Sequence, residues 1–246
     1  MNNTNVSIII PAYNKGDLLL ETYKELMKSI QLNNISYEII IINDCSNDDT
    51  KKYMQILSES DKNVLCINNV VNIGLGSSIR AGINISKGDY LMWIPADNDI
   101  PHKYINNLIS LRSQADMVTL YIVNRNVRGF SRNLMSSLYN FIYMLSFKIY
   151  LLNITSIGIY DAKLLKSIEL KSTRFGITSE INTKMYLNSS LVIQKPLYVT
   201  NGIAGSTAFS LLNICELIKS FLECLHYSYV KKNISTTKLI DPDSPS

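Results

Sequence analysis

The sequence predicts an α/β fold in which a mostly parallel β-sheet is flanked by helices. Up to residue 120, short apolar runs alternate with longer amphipathic stretches, and this rhythm is typical of βαβ units. Two of the runs, residues 7–10 and 39–42, are continuous rather than alternating in character. Continuous runs indicate strands that are covered on both faces, as in a parallel sheet.

The individual elements follow this rhythm along the chain. Five strands are predicted in the first half, at residues 6–10, 38–42, 63–67, 90–94 and 116–120. Helices are predicted between them, at residues 17–32, 48–60 and 75–86. In the first of these helices, Leu19, Tyr23 and Leu26 recur at helical spacing. In the second half, we expect helices near residues 161–168 and 178–187 and a late strand at 192–199.

The composition argues against several classes of function. The net charge of +4 is too weak to predict a nucleic-acid partner, although it suits an anionic ligand or an anionic membrane surface. The four cysteines form no CxxC pair and only two histidines are present, which argues against a zinc site. Free thiols, and a polar N-terminus without the features of a signal peptide, predict a cytoplasmic location.

Two stretches of the second half are unusually apolar, at residues 134–152 and 211–225. Charged residues make up only 18% of the chain, below the usual value of about 25%, and no run of about 20 apolar residues could span a bilayer. We predict an amphipathic helix at 131–152 in the membrane interface, with a core helix as the alternative. The predicted organisation is one domain at 1–206, an amphipathic helix at 207–234 that contacts the membrane or a second copy of the chain, and a flexible tail at 235–246.

Polar residues follow four of the predicted strands. They are residues 11–14 after the first strand, 43–48 after the second, 72–76 after the third and 95–99 after the fourth. Because ligands of open α/β sheets bind outside the carboxyl ends of the strands, we expect the functional site at this edge of the sheet.

The carboxylates of Asp97 and Asp99 are the first candidates at this edge. They are one residue apart, directly after a buried strand, and can both reach one divalent cation such as Mg²⁺ or Mn²⁺. The alternative is that Asp99 is the N-cap residue of a helix that begins near Pro101. The position after the fourth strand favours the metal site.

Two further features of this edge each allow two interpretations. Asp44 can accept hydrogen bonds from a ribose or a base, or it can form an Asx-turn or cap for the helix at Asp48. The loop at residues 72–76, with Gly74 and Gly76, can let the backbone approach a nucleotide or can be a tight turn. It has Ile79 where a dinucleotide fingerprint needs a third glycine, which argues against a Rossmann oxidoreductase.

Beyond the fifth strand, the candidates are two arginines and one glutamate. Arg128 and Arg132 are four residues apart and share one face of a predicted helix. Paired guanidinium groups suit a phosphate, with a solvated basic face beside a membrane as the alternative. Glu180 can be a general base or bind a substrate hydroxyl. Alternatively, it is a carboxylate in the first turn of a helix, where it interacts with the helix dipole.

In this order, the residues resemble family 2 glycosyltransferases with the GT-A fold. The motifs that carry the resemblance lie at residues 6–14, 37–50, 72–76, 87–90 and 97–99. The later chain is similar to the polyprenyl-phosphate, dolichol-phosphate mannosyltransferase-like branch of that family, through Arg128 with Arg132, Ser136, residues 157–160, Glu180, Lys195 with Pro196, and Gly205 with Ser206.

The chain departs from that branch at several positions. Lys15 stands where the branch usually has an acidic residue, and Asn43 replaces the first of two aspartates at the end of the second strand. Pro95 opens what is usually an Asp-Ala-Asp motif, and Asp99 offers a replacement carboxylate. An arginine that often follows the late strand is missing around residues 200–202.

The resemblance implies transfer of a sugar, with inversion, from a nucleotide-diphosphate-sugar to a lipid-linked acceptor. It places Mg²⁺ or Mn²⁺ at Asp97 and Asp99, and the acceptor phosphate near Arg128 and Arg132. The residues that it implies in donor binding are Pro11, Ala12, Tyr13, Asn14, Asp44, Asn72, Gly74 and Asp97.

The acceptor implied by the resemblance is a polyprenyl phosphate at the cytoplasmic face of the membrane, which the protein contacts peripherally. Two alternatives remain at this point. One is a hydroxyl of a surface glycan, for which Glu180 would be the general base because a hydroxyl must lose a proton. The other is a catalytically silent protein that binds a nucleotide-sugar.

Overall fold

In a computed structural model, the chain is described over residues 5–127, 129–198, 211–230 and 238–240. These residues form an eight-stranded sheet flanked by helices. The strands are β1 (Val6–Ala12), β2 (Tyr37–Asn43), β3 (Val64–Asn68), β4 (Tyr90–Trp93), β5 (Met117–Ile122), β6 (Gly158–Asp161), β7 (Leu191–Leu197) and β8 (Lys238–Ile240). The helices are α1 (Gly16–Asn33), α2 (Thr50–Ser60), α3 (Leu75–Ile85), α4 (His102–Leu111), α5 (Phe130–Phe147), α6 (Ala162–Lys166), α7 (Gly176–Tyr186) and α8 (Leu211–Val230), with a 3-10 turn at Arg125–Val127.

All the described strands except β6 run in one direction. The strand order is β3-β2-β1-β4-β6-β5-β7-β8, and β6 is antiparallel to its neighbours β4 and β5. β1 pairs in parallel with β2 and β4, and β2 with β3. The predicted mostly parallel sheet is therefore confirmed, and the loops that follow β1 to β4 share one edge, which we call the carboxyl edge.

The continuous apolar runs form the centre of the sheet because both of its faces are covered. Residues 39–42 of β2 are all fully buried, although successive side chains of a strand point to opposite faces. Leu19, Leu26 and Ile30 on α1 are also buried in this core. Their helical spacing explains why an amphipathic stretch covers the sheet here.

Two described strands differ from the prediction. β6 has only four residues and was not predicted. β8 (Lys238–Ile240) lies within residues 235–246, for which the sequence predicts a flexible tail. These residues pair in parallel with β7, because the backbone groups of an edge strand are open to a further strand. The rest of the predicted tail lies outside the described residues.

The two apolar stretches of the second half form α5 and α8. α5 is shorter than the predicted 131–152, since Lys148 adopts a left-handed conformation with φ 55°. Phe221 on α8 contacts the rings of Tyr143 and Phe147 on α5, with centroids 5.2 and 5.5 Å apart. α8 also packs along α7. Within the described ranges, no helix combines the length and the apolar character needed to cross a bilayer.

Candidate functional site

The loops after β1 and β2 are joined by hydrogen bonds at the carboxyl edge. The backbone N–H of Asn14 donates to Oγ of Ser46, and the N–H of Asn47 donates to Oδ1 of Asn14, both at 2.9 Å. Asn14 and Cys45 adopt left-handed backbone conformations, with φ 51° and 63°. Residues held in such sparsely populated conformations cluster at functional sites. Because the amide oxygen of Asn14 accepts the N–H of Asn47, Asn14 links the loops after β1 and β2.

The other residues predicted at the end of β1 have different surroundings. Pro11 and Ala12 lie inside β1 and are buried, so their side chains pack in the sheet and do not face a donor. That Pro11 and Ala12 bind the donor stays a prediction. Tyr13 follows them with a side chain that is 47% exposed. Of the three, Tyr13 is the residue whose side chain can reach a ligand.

Asp44 is almost completely buried and binds the loop that leads into α3. Its Oδ1 accepts hydrogen bonds from Nδ2 of Asn69 and from the N–H of Ile73, both at 2.9 Å, and its Oδ2 accepts one from the N–H of Gly74 at 2.8 Å. The alternative that Asp44 caps α2 is wrong, since Asp48 itself accepts the N–H of Thr50 at 3.0 Å. Asp44 therefore fixes the position of the loop before α3.

The glycines of this loop admit another part of the chain. The carbonyl oxygen of Thr173 accepts the N–H groups of Gly76 and Ser77, at 2.9 and 3.1 Å. A Cβ atom on Gly76 would lie 2.5 Å from the carbonyl oxygen of Ser172, and one on Gly74 would lie 2.6 Å from that of Thr173. The backbone N–H of Gly74 thus binds Asp44, and residues 172–174 leave no room for a side chain at Gly74 or Gly76; that Gly74 binds the donor stays a prediction.

Asn72, by contrast, is exposed at this edge. Its Nδ2 donates to the carbonyl oxygen of Asp44 at 3.3 Å. The side chain of Ile73 beside it is 38% exposed. These two side chains, and not the glycine backbone, are the parts of this loop that a ligand can contact.

Glu180 is a fully buried residue of α7. Its side chain has no exposed surface, and it accepts hydrogen bonds from the N–H of Lys171 at 2.9 Å and of Ser172 at 2.7 Å. The ammonium group of Lys184 lies 2.7 Å from Oε1. A general base must be within reach of the proton that it removes. The structure shows Glu180 without exposed surface and beyond the first turn of α7, and its role as a general base stays a prediction.

Asp97 and Asp99 lie on a loop that is anchored to α1. The N–H of Asn98 between them donates to Oγ1 of Thr22 at 2.9 Å, and Asn98 has a left-handed φ of 55°. α4 begins with Pro101 as its N-cap residue, so the alternative that Asp99 caps this helix is wrong. Both carboxylates are therefore available at the carboxyl edge.

The Oδ1 atom of Asp97 is buried and has no hydrogen-bond partner among the described residues. A buried carboxylate oxygen without a partner is costly, and a bound cation removes that cost. The part of the chain that the structure describes contains no group of three or more His, Cys, Asp or Glu side chains arranged to hold a metal ion. Asp97 and Asp99 alone would therefore need oxygen atoms of water and of a ligand to complete a metal shell.

The charges of two cations act on this carboxylate pair. Desolvation and the negative charge of Asp97 raise the pKa of Asp99, while the positive charges of Lys15 and Arg132 oppose this rise. Lys15 follows the loop after β1, and Arg132 lies in the first turn of α5. Three predicted site residues, Asp97, Asp99 and Arg132, thus interact electrostatically together with Lys15, which the sequence marks only as a departure from the branch.

The other arginines of this region differ in what the structure shows of them. Arg128, the predicted partner of Arg132, lies outside the described residues, as do Gly205 and Ser206. Arg125 donates to Oγ of Ser137 at 2.9 Å and to the carbonyl oxygen of Leu152 at 3.2 Å. It therefore ties the turn before α5 to the segment that follows the helix.

One face of α5 is apolar and open to solvent. Leu134, Leu138, Phe141 and Leu145 recur at intervals of three or four residues and are 57%, 51%, 50% and 64% exposed. We call these four residues the apolar face of α5. Tyr143 and Phe147 lie on the opposite, buried side. An apolar helix face of this kind marks an interaction surface.

The sequence profile described as glycosyl transferase family 2 matches residues 7–168, more than half of the chain. The chain is 31% identical over 106 residues to the undecaprenyl-phosphate 4-deoxy-4-formamido-L-arabinose transferase of Proteus mirabilis, covering 43% of this chain and 32% of that protein. It is 26% identical over 125 residues to the dolichyl-phosphate beta-glucosyltransferase ALG5A of Trichomonas vaginalis, covering 46% and 39%. The matches therefore span about a third of the length of these relatives.

The solved structures show the same fold at lower identity. The glucosyl-3-phosphoglycerate synthase of Mycobacterium tuberculosis, in complex with Mn²⁺, UDP and phosphoglyceric acid, superposes with a TM-score of 0.67. Its sequence is 14% identical, and the match covers 90% of this chain and 78% of that one. The GT-A fold is thereby confirmed, and the profile match shows that the chain belongs to glycosyl transferase family 2.

Proposed function

We propose that the chain transfers a sugar, with inversion, from a nucleotide-diphosphate-sugar to a polyprenyl phosphate at the cytoplasmic surface of the membrane. The observation that carries this proposal is the buried, unpartnered Oδ1 of Asp97 at the carboxyl edge, two residues from Asp99; the positive charges of Lys15 and Arg132 act on the pKa of Asp99. Carboxylates suit a divalent cation, and the cations beside them suit phosphoryl oxygens. A site at which a diphosphate leaves and a second anion attacks needs carboxylates that hold a metal cation and positively charged side chains that hold phosphoryl oxygens.

The residues at the end of β4 fit a divalent cation. The unpartnered Oδ1 of Asp97 and the neighbouring carboxylate of Asp99 supply hard oxygen ligands, and we assign Mg²⁺ or Mn²⁺ to them. When bound, the cation would neutralise the negative charge of the diphosphate leaving group. The Mycobacterium tuberculosis synthase, whose fold is similar, was solved with Mn²⁺ and UDP bound, which supports this assignment.

On the donor side, Tyr13 and Asn72 offer exposed side chains on either side of Asp44. Asp44 holds the loop of Asn72 in place through its two carboxylate oxygens. This rigid wall would orient the nucleoside so that its diphosphate points toward Asp97. Arg132 would face the opposite side and stabilise the negative charge that develops in the transition state.

The enclosure of Glu180 favours a phosphate acceptor over a hydroxyl acceptor. A hydroxyl needs a base to remove its proton, and Glu180, the candidate from the sequence, is occupied by two backbone N–H groups and by Lys184. A lipid phosphate is already anionic and can attack the anomeric carbon directly. The names of the two relatives, an undecaprenyl-phosphate transferase and a dolichyl-phosphate glucosyltransferase, support the same acceptor class.

The apolar face of α5 supports contact with a membrane. The sequence of α5 contains no acidic residue, with Arg132 near its start and Lys148 just after its end. An exposed apolar helix face flanked by cations suits an anionic lipid surface. Because Arg132 belongs to this helix, a lipid phosphate could reach it while the lipid chain remains in the bilayer.

A transfer assay tests the proposal. The purified chain is incubated with Mn²⁺, a UDP-, GDP- or dTDP-sugar, and either a short polyprenyl phosphate or an oligosaccharide, and the products are identified by mass spectrometry. We expect one sugar to be added to the polyprenyl phosphate. Addition only to the oligosaccharide would contradict the acceptor. Stabilisation by the donor without transfer or hydrolysis would instead support a catalytically silent binding protein.

A matched pair of variants tests the role of the carboxylates in the same assay. We expect Asp97→Asn to lower the transfer rate by about a hundredfold or more, since electrostatic stabilisation of this kind contributes about 10²–10³ in rate. Asp89→Asn is the control, because Asp89 is exposed and precedes the same strand at its amino end. Equal rates for the two variants would contradict the metal site.

A further inference from the structure

We propose that Glu180 and Thr173 are positioning residues of the donor site, which hold the loop at residues 73–76 in its binding conformation. This inference rests on the proposed function, because it concerns the wall that the nucleotide-sugar would contact. It replaces the role of general base with an indirect one. The contacts that carry it run from α7 to the end of β2.

The first contact is that of Glu180 with the segment at residues 169–174. The two oxygens of its carboxylate accept the N–H groups of Lys171 and Ser172, one each. Lys184 in turn donates to Oε1 of Glu180 and to the carbonyl oxygen of Glu169, both at 2.7 Å. An apolar side chain at position 180 could not satisfy these backbone groups, so the buried charge pair specifies the course of this segment.

The second contact is that of the segment with α3. Because the N–H groups of Lys171 and Ser172 are held, the carbonyl oxygen of Thr173 next to them is directed at the N-terminus of α3. There it accepts the N–H groups of Gly76 and Ser77. Arg80 on the same helix donates from Nη1 to the carbonyl oxygen of Lys171 at 3.2 Å. The segment thereby satisfies N–H groups that the first turn of a helix leaves without an internal partner.

The third contact closes the arrangement from the side of the sheet. Asp44 accepts the N–H groups of Ile73 and Gly74, so the loop is held by a carboxylate on one side and by a carbonyl on the other. Gly74 has φ +89° and Gly76 has no room for a Cβ atom. The exposed side chains of Ile73 in this loop and of Asn72 just before it therefore take their positions from Glu180 as well as from Asp44.

α8 completes the support from outside the segment. Oε1 of Glu223 lies 3.0 Å from Nζ of Lys171 and 3.4 Å from Nζ of Lys184. Ser220 on the same helix donates to the carbonyl oxygen of Gly176 at 2.8 Å. The donor loop is thus connected to α8 by consecutive polar contacts, all of them within the described residues.

The test compares variants of the full chain by calorimetric titration with UDP and GDP in the presence of Mn²⁺. Glu180→Gln with Lys184→Met removes the pair without leaving an unpaired buried charge, and Arg80→Ala removes one outer contact from an incompletely buried side chain. Ile109→Val is the control, since Ile109 is a buried core residue of α4. We expect the double variant to weaken binding about tenfold or more, Arg80→Ala severalfold, and Ile109→Val less than twofold.

Hydrogen exchange at Gly76 and Ser77 gives a second measurement, which we expect to be faster in the double variant and in Arg80→Ala. If the double variant does not fold, Arg80→Ala alone decides the outcome. Unchanged nucleotide affinity and exchange in a folded variant would overturn the positioning role and leave the proposed function intact. If the unmodified chain binds neither nucleotide, nor a dTDP-sugar, the donor site itself is wrong and this inference fails with it.

Discussion

The ammonium group of Lys184 lies 2.7 Å from Oε1 of Glu180, and neither side chain has any exposed surface. The two residues are one helical turn apart on α7, a spacing at which opposite charges meet. Removing one partner of such a pair leaves an uncompensated buried charge, which costs about 3–5 kcal/mol. The pair joins α7 to the segment that contacts α3. Glu223 on α8 lies beside Lys184, and its titration links the stability of the fold to pH.

Stability should depend on pH through Glu223 on α8. Burial raises its pKa, but the hydrogen bond from Lys171 and the charges of Lys184 and Lys171 outweigh burial, so its pKa is lowered from the ordinary 4.5. A carboxyl group with a lowered folded-state pKa contributes stability above its unfolded pKa and loses it as the pH falls through the folded value. We expect the Tm of the unmodified chain to fall more steeply below about pH 4.5 than that of Glu223→Gln.

Thermal unfolding followed over an acidic pH series measures this difference. Glu59→Gln is the control, because Glu59 is an exposed residue of α2 that contacts only Gln55 in the described hydrogen bonds. We expect this control to follow the unmodified chain. An equally steep acid loss in Glu223→Gln would assign the pH dependence to other groups.

The contact between α3 and residues 172–174 should be sensitive to one methyl group. In Gly76→Ala, the added Cβ would lie 2.5 Å from the carbonyl oxygen of Ser172 and 2.7 Å from the carbonyl carbon of Thr173. Both are backbone atoms and cannot move aside alone, so we expect a loss of about 1–3 kcal/mol in the free energy of unfolding. Urea denaturation measures this loss in the free energy of unfolding.

Gly129→Ala is the matched control for this substitution. A Cβ atom at Gly129 would meet nothing within 4 Å. Its position as the N-cap residue of α5 limits the expected loss to about 1 kcal/mol or less. If Gly76→Ala were no more destabilised than this control, the close approach of the two segments would be refuted.

Lys15 should tune the carboxylates beside it. Its positive charge lowers the pKa of Asp99, against the raising effects of desolvation and of Asp97. Replacing Lys15 by glutamate removes the positive charge that lowers the pKa of Asp99 and adds a negative charge, so the pKa of Asp99 rises. Because a protonated carboxyl does not bind a metal, we expect the pH at which Mn²⁺ binding is half complete to increase in Lys15→Glu.

Mn²⁺ titrations by calorimetry over a pH series measure this shift. Lys24→Glu carries the same change of charge on an exposed position of α1, about 13 Å further along the helix at 1.5 Å per residue, and should leave the midpoint in place. Identical midpoints for both variants would show that Lys15 does not act on the proposed metal ligands.

Membrane binding should depend on the apolar face of α5. Burying one leucine side chain contributes about 1.5–3 kcal/mol, so Leu138→Glu should lower the fraction bound to anionic vesicles by about tenfold or more. Ile56→Glu on α2 is the control, since Ile56 is 45% exposed and Leu138 is 51% exposed. Flotation on a density gradient measures both, and equal flotation would locate the membrane contact elsewhere.

The sheet could be predicted from the sequence because its signals are local. Residues 39–42 are consecutive isoleucines, and only a strand covered on both faces buries all of them. β6 has four residues and no comparable run, so nothing local distinguished it. β8 depends on the open edge of β7, a feature that exists only after folding.

The sequence predicted which residues lie at the carboxyl edge but not their hydrogen bonds. Asp97 and Asp99 became candidates because they come shortly after a predicted strand. Ile73 and Gly74, whose N–H groups donate to Asp44, are about 30 residues away from it in the chain. No spacing rule connects them with Asp44. The burial of Glu180 could not be predicted, because it comes from the segment before α7 and from α8. The spacing of Glu180 and Lys184 was the one local signal of that ion pair.

β5 and β6 are antiparallel neighbours, and the N–H of Leu120 donates to the carbonyl oxygen of Ile157 at 3.4 Å. The whole excursion between them, with Arg132 and the apolar face of α5, therefore leaves and re-enters the sheet at almost the same point. Insertions whose ends meet are exchanged at little cost to the rest of a fold. The segment between β5 and β6 can thus be exchanged as a unit whose ends the sheet holds together, provided that the replacement fills the core space of Tyr143 and Phe147 and matches Phe221 on α8.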